Sequence, residues 1–188
     1  MEKRTVGVLG DGQLGRMMGE AAHRLGVRLI PLGPGGDQSP AGQVCHGALK
    51  GSFRDREMVR ELSKQCDVLT VEIEHVDASA HEELEAEGHV VQPSAKTLKI
   101  IQDKYVQKEH MSKQEGVALG PYKKVTCAKD VEELGLDWGW PVMLKSRLMV
   151  RIRARECFWE PHAVDCCCPY TSPMLSLYTR LCKTIVGL

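Results

Sequence analysis

Over roughly the first 95 residues the apolar positions of this chain alternate between two rhythms. Thr5-Val6-Gly7-Val8-Leu9 is a short, β-branched apolar run bounded by glycine, which is how a buried parallel strand reads. Gln13 to Leu25 then places Leu14, Met17, Met18, Ala21, Ala22 and Leu25 at helical spacing, predicting an amphipathic helix with those residues as its apolar stripe. Gly26 ends the helix, and Val27-Arg28-Leu29-Ile30 supplies the next strand. A strand, helix and strand joined this closely imply a right-handed crossover and parallel pairing.

The alternation continues. Gly33-Pro34-Gly35-Gly36-Asp37 reads as a loop, Asp55 to Lys64 as a helix and Asp67-Val68-Leu69-Thr70-Val71 as a strand. Ser79 to Glu87 is a polar-faced helix closed by Gly88, and His89-Val90-Val91-Gln92 a further strand. The fold class is therefore α/β, a doubly wound parallel sheet in residues 1–95. Ser94 opens a long helical region to about Gln114, with Ser94 as N-cap and Gly116 as the stop. A strand at Tyr122 to Val125, a helix from Asp130 and a strand at Val142 to Lys145 make residues 96–147 the incomplete start of a second domain. From Leu148 to Leu188 neither rhythm is sustained, and an irregular tail is expected.

Composition narrows the partners. Lysine plus arginine and aspartate plus glutamate both total 25, so no global charge favours a nucleic acid or a membrane surface, and any phosphate chemistry has to be local. No apolar stretch approaches the length of a membrane span, so a soluble, cytoplasmic protein is expected. Cys45, Cys66 and Cys127 stand singly, as reduced thiols do. Cys157, Cys166, Cys167, Cys168 and Cys182 crowd the tail without the paired spacing that closes a tetrahedral zinc site. The tail's alternating Arg147, Arg151, Arg153 and Arg155 would suit a basic strip, but no aromatic residues interleave with them.

Three features carry chemistry. Gly10-Asp11-Gly12-Gln13-Leu14-Gly15 matches G-x-G-x-x-G between a strand and a helix, the context that motif needs. Its glycines permit a tight turn, and the N–H groups at the helix start favour a phosphate. A small-phosphate or ribose-phosphate site, a dinucleotide cofactor site and a purely structural turn all remain open. A dinucleotide wants a carboxylate at the end of the second strand; Pro31-Leu32-Gly33-Pro34 stands there instead. Second, Glu72-Ile73-Glu74-His75 continues the strand ending at Val71, which puts Glu72 and Glu74 on one face at the carboxyl edge of the sheet. They suit an amine or the hydroxyls of a ligand, a solvated strand end is the plain alternative, and no metal site is supported. Third, Lys145 ends an apolar strand, where an ammonium needs an anion such as a nucleotide phosphate unless it snorkels from an edge. Lys104 and Lys108, four apart on a helix, read as a solvated face.

Four blocks in order, Thr5 to Met17, Cys66 to Asp77, Ile101 to His110 and Pro141 to Arg147, resemble the N-terminal, ATP-grasp part of fungal phosphoribosylaminoimidazole carboxylase, its N5-carboxyaminoimidazole ribonucleotide synthetase portion. The resemblance implies a Rossmann-like pre-ATP-grasp domain and an ATP-dependent carboxylating ligase of de novo purine synthesis. ATP and bicarbonate would form carboxyphosphate, and its carbon dioxide would pass to the amine of 5-aminoimidazole ribonucleotide. It further implies that Gly12, Gln13 and Leu14 face the ribonucleotide with Glu72 and His75 beside it, that Lys104 and Lys145 contact ATP, that magnesium bridges the phosphates, and that the full-length enzyme is a homo-oligomer. In the family a Tyr-Asp-Gly-Arg-Gly loop follows the lysine strand and covers the phosphates; here Leu148-Met149-Val150-Arg151 follows. No complete catalytic set or magnesium ligand set is therefore expected in this chain, and residues 148–188 read as a translated intron or a shifted frame. Two other functions are suggested by residues alone: an NAD(P)-binding oxidoreductase fragment from the glycine loop, and a non-enzymatic interaction fragment from the tail.

Overall fold

The computed structural model describes residues 4–140, 142–147, 157–159 and 183–187. Chain contacts divide it into two compact units, Met1–Lys99 and Ile100–Leu188.

The first unit is built on four parallel strands, β1 (Thr5–Leu9), β2 (Arg28–Gly33), β3 (Leu49–Lys50) and β4 (Val68–Val71), in the order β3-β2-β1-β4. Leu9 of β1 lies level with Leu32 of β2 and with Val71 of β4, so the three strands end together at their carboxyl edge. Alternation along β1 sends Val8 to one face of the sheet with Ala22 and Leu29, and Leu9 to the other with Leu32, Leu62 and Leu69. Strand order reverses at β1, and such a switch point opens a crevice for ligands beyond the strand ends.

Helix α1 (Gln13–Leu25) has the predicted limits, with Gly26 left-handed at its C-cap. Its packing face differs from the predicted one. Gly15, Gly19 and Ala22 are buried, whereas Leu14, Met17 and Leu25 are 54%, 58% and 78% exposed. The physical reason is close approach: a Cβ at Gly19 would lie 2.7 Å from the Cys45 sulfur, and one at Gly15 3.1 Å from the Ala41 methyl. Only the small residues fit against the loop carrying Ala41 and Cys45, so Leu14, Met17 and Leu25 turn outward, while Met18 packs against the cluster of Val8, Ala22 and Leu29.

Helices α2 (Arg56–Ser63) and α3 (Ala78–Ala86) are capped by Asp55, which accepts from the Glu57 N–H, and by Asp77, which accepts from the Ser79 N–H. Arg56 and Arg60 tie α2 to Asp77, Glu83 and Glu87 through exposed pairs that add little stability individually. The predicted strand His89–Gln92 is reduced to a single parallel bridge, Leu69 to Val91.

The long helix expected over Ser94 to Gln114 is two helices, α4 (Ala95–Gln102) and α5 (Lys104–Met111). Ser94 does accept from the Thr97 N–H as predicted. The break falls at Asp103, whose carboxylate accepts from the Tyr105 and Val106 N–H groups and so begins a new helix.

In the second unit, β5 (Tyr122–Lys124), β6 (Val142–Ser146), β7 (Cys157–Trp159) and β8 (Lys183–Gly187) form a sheet ordered β5-β8-β6-β7. Helix α6 (Ala128–Trp138) packs Val131 and Leu134 with Val125 and Val142, and a Cβ at Gly135 would strike the Trp140 ring. Asp130 folds back on the helix start, accepting from the Thr126 and Cys127 N–H groups and the Thr126 hydroxyl; these bonds lower its carboxyl to about 2. Two stretches of the tail expected to be irregular are thus strands, and β8 pairs with both β5 and β6. The remainder of the tail, including its arginine alternation after Arg147 and Cys166, Cys167, Cys168 and Cys182, lies outside the described residues.

Candidate functional site

The first unit gathers its chemistry where β1 and β4 end side by side. Gly10, with φ of 119°, turns the chain out of β1 and donates its N–H to the Leu32 carbonyl at 2.9 Å. On the neighbouring strand the ladder reaches one residue past β4, the Glu72 N–H donating to the Leu9 carbonyl at 2.9 Å, after which residues 72–74 bend. Glu72 and Glu74 are therefore not the same-face strand pair the alternation predicted. The bend turns the Glu72 carboxylate back over the glycine loop, where it accepts from the Gly12 N–H at 2.9 Å and the Leu14 N–H at 3.2 Å.

The carboxylate thus takes donors at the start of α1 that the sequence reading offered to a phosphate. Hydrogen bonds to a charged acceptor contribute about 1.5–3 kcal/mol each, and the positive end of the helix adds about 0.3–1 kcal/mol. A second acid braces the other side: Asp11 accepts from the Gly35 N–H at 2.8 Å, and its own carbonyl accepts from the Ala41 N–H. A Cβ at Gly33 would overlap the Asp11 carboxylate, so the glycine at the end of β2 is what lets Asp11 lie there.

The predicted ribonucleotide-facing residues divide. Gly12, Leu14 and Glu72 are joined by hydrogen bonds. Gln13, the first residue of α1, is exposed beside them. His75 is half-buried, and its carbonyl accepts from the Arg54 side chain at 3.0 Å, but among the described residues no hydrogen bond joins its ring to Glu72. Cys45, Cys66 and Cys127 are free thiols; burial pushes Cys45 and Cys66 up, which makes them poor nucleophiles.

The two predicted ATP-contacting lysines lie in the second unit. Lys104 opens α5 and is half-buried, its N–H donating to the Arg147 carbonyl at 3.0 Å. Lys145, on β6, is half-buried as well. A third lysine, read from sequence as part of a solvated face, belongs with them. The Lys108 ammonium sits 5.4 Å from the centre of the Tyr122 ring, while the Tyr122 hydroxyl donates to Glu109 at 2.8 Å. Burial, and then the positive charge of Lys145, holds the Lys108 pKa below the ordinary lysine value. No spacing in the sequence pairs Lys108 with Lys145; the sheet and α5 bring them into one field.

Arg147 closes this region. Its guanidinium binds the buried Asp103 carboxylate at 2.7 Å. Burial alone would raise Asp103, but the Arg147 bond and the two N–H donors of α5 outweigh it and hold the carboxyl below its usual range. Among the described residues no group of three histidine, cysteine, aspartate or glutamate side chains could hold a metal ion. No described helix is long and apolar enough to cross a membrane.

Comparison with known proteins identifies the family. The phosphoribosylaminoimidazole carboxylase of Ogataea methanolica is 48% identical over 153 residues, which is 79% of this chain and 28% of the relative. That of Saccharomyces cerevisiae is 42% identical over 155 residues, 27% of its length. The chain thus spans little more than a quarter of these fungal carboxylases. The crystal structure of N5-carboxyaminoimidazole synthase from Aspergillus clavatus in complex with ADP and 5-aminoimidazole ribonucleotide superimposes with a TM-score of 0.69 at 43% identity, covering 77% of this chain and 39% of that one. Residues 3–102 match the model of the ribonucleotide synthetase preATP-grasp domain, and the chain belongs to that family.

Proposed function

We propose that this chain is the N-terminal part of a cytoplasmic, ATP-dependent N5-carboxyaminoimidazole ribonucleotide synthetase acting in purine biosynthesis. The first unit receives 5-aminoimidazole ribonucleotide at the carboxyl edge of its sheet, with Gly12, Gln13, Leu14, Glu72 and His75 facing it. Lys104 and Lys145 of the second unit, joined by Lys108, meet the phosphates of ATP. In the complete reaction bicarbonate oxygen attacks the γ-phosphorus and ADP leaves. The ribonucleotide amine then takes up the carboxyl carbon, and inorganic phosphate departs. Bicarbonate as co-substrate and self-association of the complete enzyme belong to the same reading.

The observation that carries it is the fixed Glu72 carboxylate at the strand-order reversal of a preATP-grasp sheet. Two of its bonding positions are held by the protein, and the rest suit the hydroxyl or amine donors of a ribonucleotide. Titrating the 188-residue chain with 5-aminoimidazole ribonucleotide should shift the backbone amide signals of Gly12 and Leu14. Glu72→Ala should weaken that response at least about tenfold. Equal responses from the two proteins would sink the assignment. The same chain should release no ADP when given ATP, bicarbonate and the ribonucleotide, because the loop that covers the phosphates in the family is replaced after Arg147.

A further inference from the structure

The glycine motif and the way it is filled point in opposite directions. A G-x-G-x-x-G turn between β1 and α1 is the arrangement that elsewhere presents bare N–H groups to a pyrophosphate. Here the glycines open onto a side chain of the same protein. A Cβ built on Gly10 would lie 2.8 Å from Glu72, one on Gly12 2.8 Å from it, and one on Gly15 3.0 Å. The cradle that the three glycines leave has the Glu72 carboxylate in it. We propose that Glu72 is a specificity-determining residue that closes this loop to phosphate groups, and so separates it from a dinucleotide-binding loop of the same sequence pattern.

The occupant is anchored at both ends. Its N–H is held by the Leu9 carbonyl at 2.9 Å, which fixes the backbone in the ladder, and its two oxygens are held by Gly12 and Leu14. A diphosphate entering the loop would lose those donors to Glu72 and meet a negative charge at contact distance. Asp11 places a second carboxylate over the end of β2, against Gly35, on the side where the ribose of a dinucleotide would lie. Pro31-Leu32-Gly33-Pro34 supplies no carboxylate of its own, so the exclusion argued here concerns the phosphates and rests on Glu72.

The probe is inorganic pyrophosphate, added to the full chain and followed at the backbone amide signals of Gly10, Gly12, Leu14 and Gly15. The wild-type signals should not move. Glu72→Ala, which empties the cradle, and Glu72→Gln, which keeps its shape but removes the charge, should both respond, with affinity at least about tenfold above wild type. Wild-type signals that shift with pyrophosphate would overturn the proposal whether or not either variant folds. Folded variants as unresponsive as wild type would overturn it too, since exclusion would then not depend on Glu72. Neither ATP nor ribonucleotide is present, so the result is independent of the proposed reaction.

Discussion

The two units settle their active groups by different means. In the first, a carboxylate is fixed by the backbone of an adjacent strand and turn: Glu72 bonds to Gly12 and Leu14, and the strands that place them are neighbours within residues 5–71. In the second, the lysines stand on separate elements that other parts of the chain hold in place. Lys104 is held through Arg147, and β5 and β6 meet only through β8, which begins at Lys183. A site made of backbone donors is complete once β1 and β4, neighbours in one sheet, have paired. One made of ammoniums on separate elements has to wait for the sheet that gathers them.

Removing the distant strand is the most severe way to break this contrast. A chain ending at Arg147 should lose hydrogen-exchange protection throughout Tyr122–Lys124 and Val142–Ser146, because both lose the neighbour that joins them. The β1 and β4 amides should keep theirs. Unchanged protection in β5 and β6 would show that β8 does not hold that sheet together.

Point substitutions give intermediate effects. Gly10→Ala places a Cβ 2.8 Å from the Glu72 Cβ at a φ of 119°, and should cost the first unit about 1–3 kcal/mol in denaturant unfolding. Asp103→Ala, which removes the α5 cap, should cost the second about 0.5–2 kcal/mol. A cost confined to the opposite unit in either case would contradict the local origin assigned to these features.

The mildest test is pH. His81 on α3 is fully buried; its Nδ1 faces the Asp77 carbonyl at 3.0 Å, and its Nε2 has no hydrogen-bond partner among the described residues. Burial lowers its pKa below the ordinary 6.5, the nearby carbonyl and carboxylates opposing this only in part. Its contribution to stability is therefore complete above 6.5 and lost as pH falls below it, since the unfolded chain takes the proton first. Asp103 is depressed from 3.8, so its contribution persists above that value and is lost only as pH falls through the lower, folded one. Thermal unfolding followed by residue-specific probes should show the first unit weakening between neutral and mildly acid pH while the second holds. Joint weakening only near pH 4 would refute the assignment to His81.

The sequence was legible where one element carries its own signal. The β1 strand, the glycine turn and the limits of α1 follow from an apolar run, a motif and Gly26. The packing face of α1 followed only in part: Met18 and Ala22 pack on the core as expected, but close approach put Gly15 and Gly19 inward and left Leu14, Met17 and Leu25 exposed. The bend at Glu72 was hidden because its cause is a pair of N–H groups some 60 residues away. Asp103 fits a continuing helix until its bonds to Tyr105, Val106 and Arg147 are seen. The pairing of Lys108 with Lys145 and the strand at β8 are products of sheet order, which no local rhythm encodes.

Arg147 fixes more than a helix start. Its carbonyl is bound to the Lys104 N–H and its guanidinium to Asp103, so β6 is pinned at the end where the chain leaves it. Sliding β6 by one residue would exchange its two faces, taking Val142 out of the core and Lys145 out of the field of Lys108, and would also pull Arg147 off both partners. The pin therefore serves as a register stop. Any segment joined after residue 147 departs from a set position, which makes that junction a defined place to graft a phosphate-covering loop onto this scaffold.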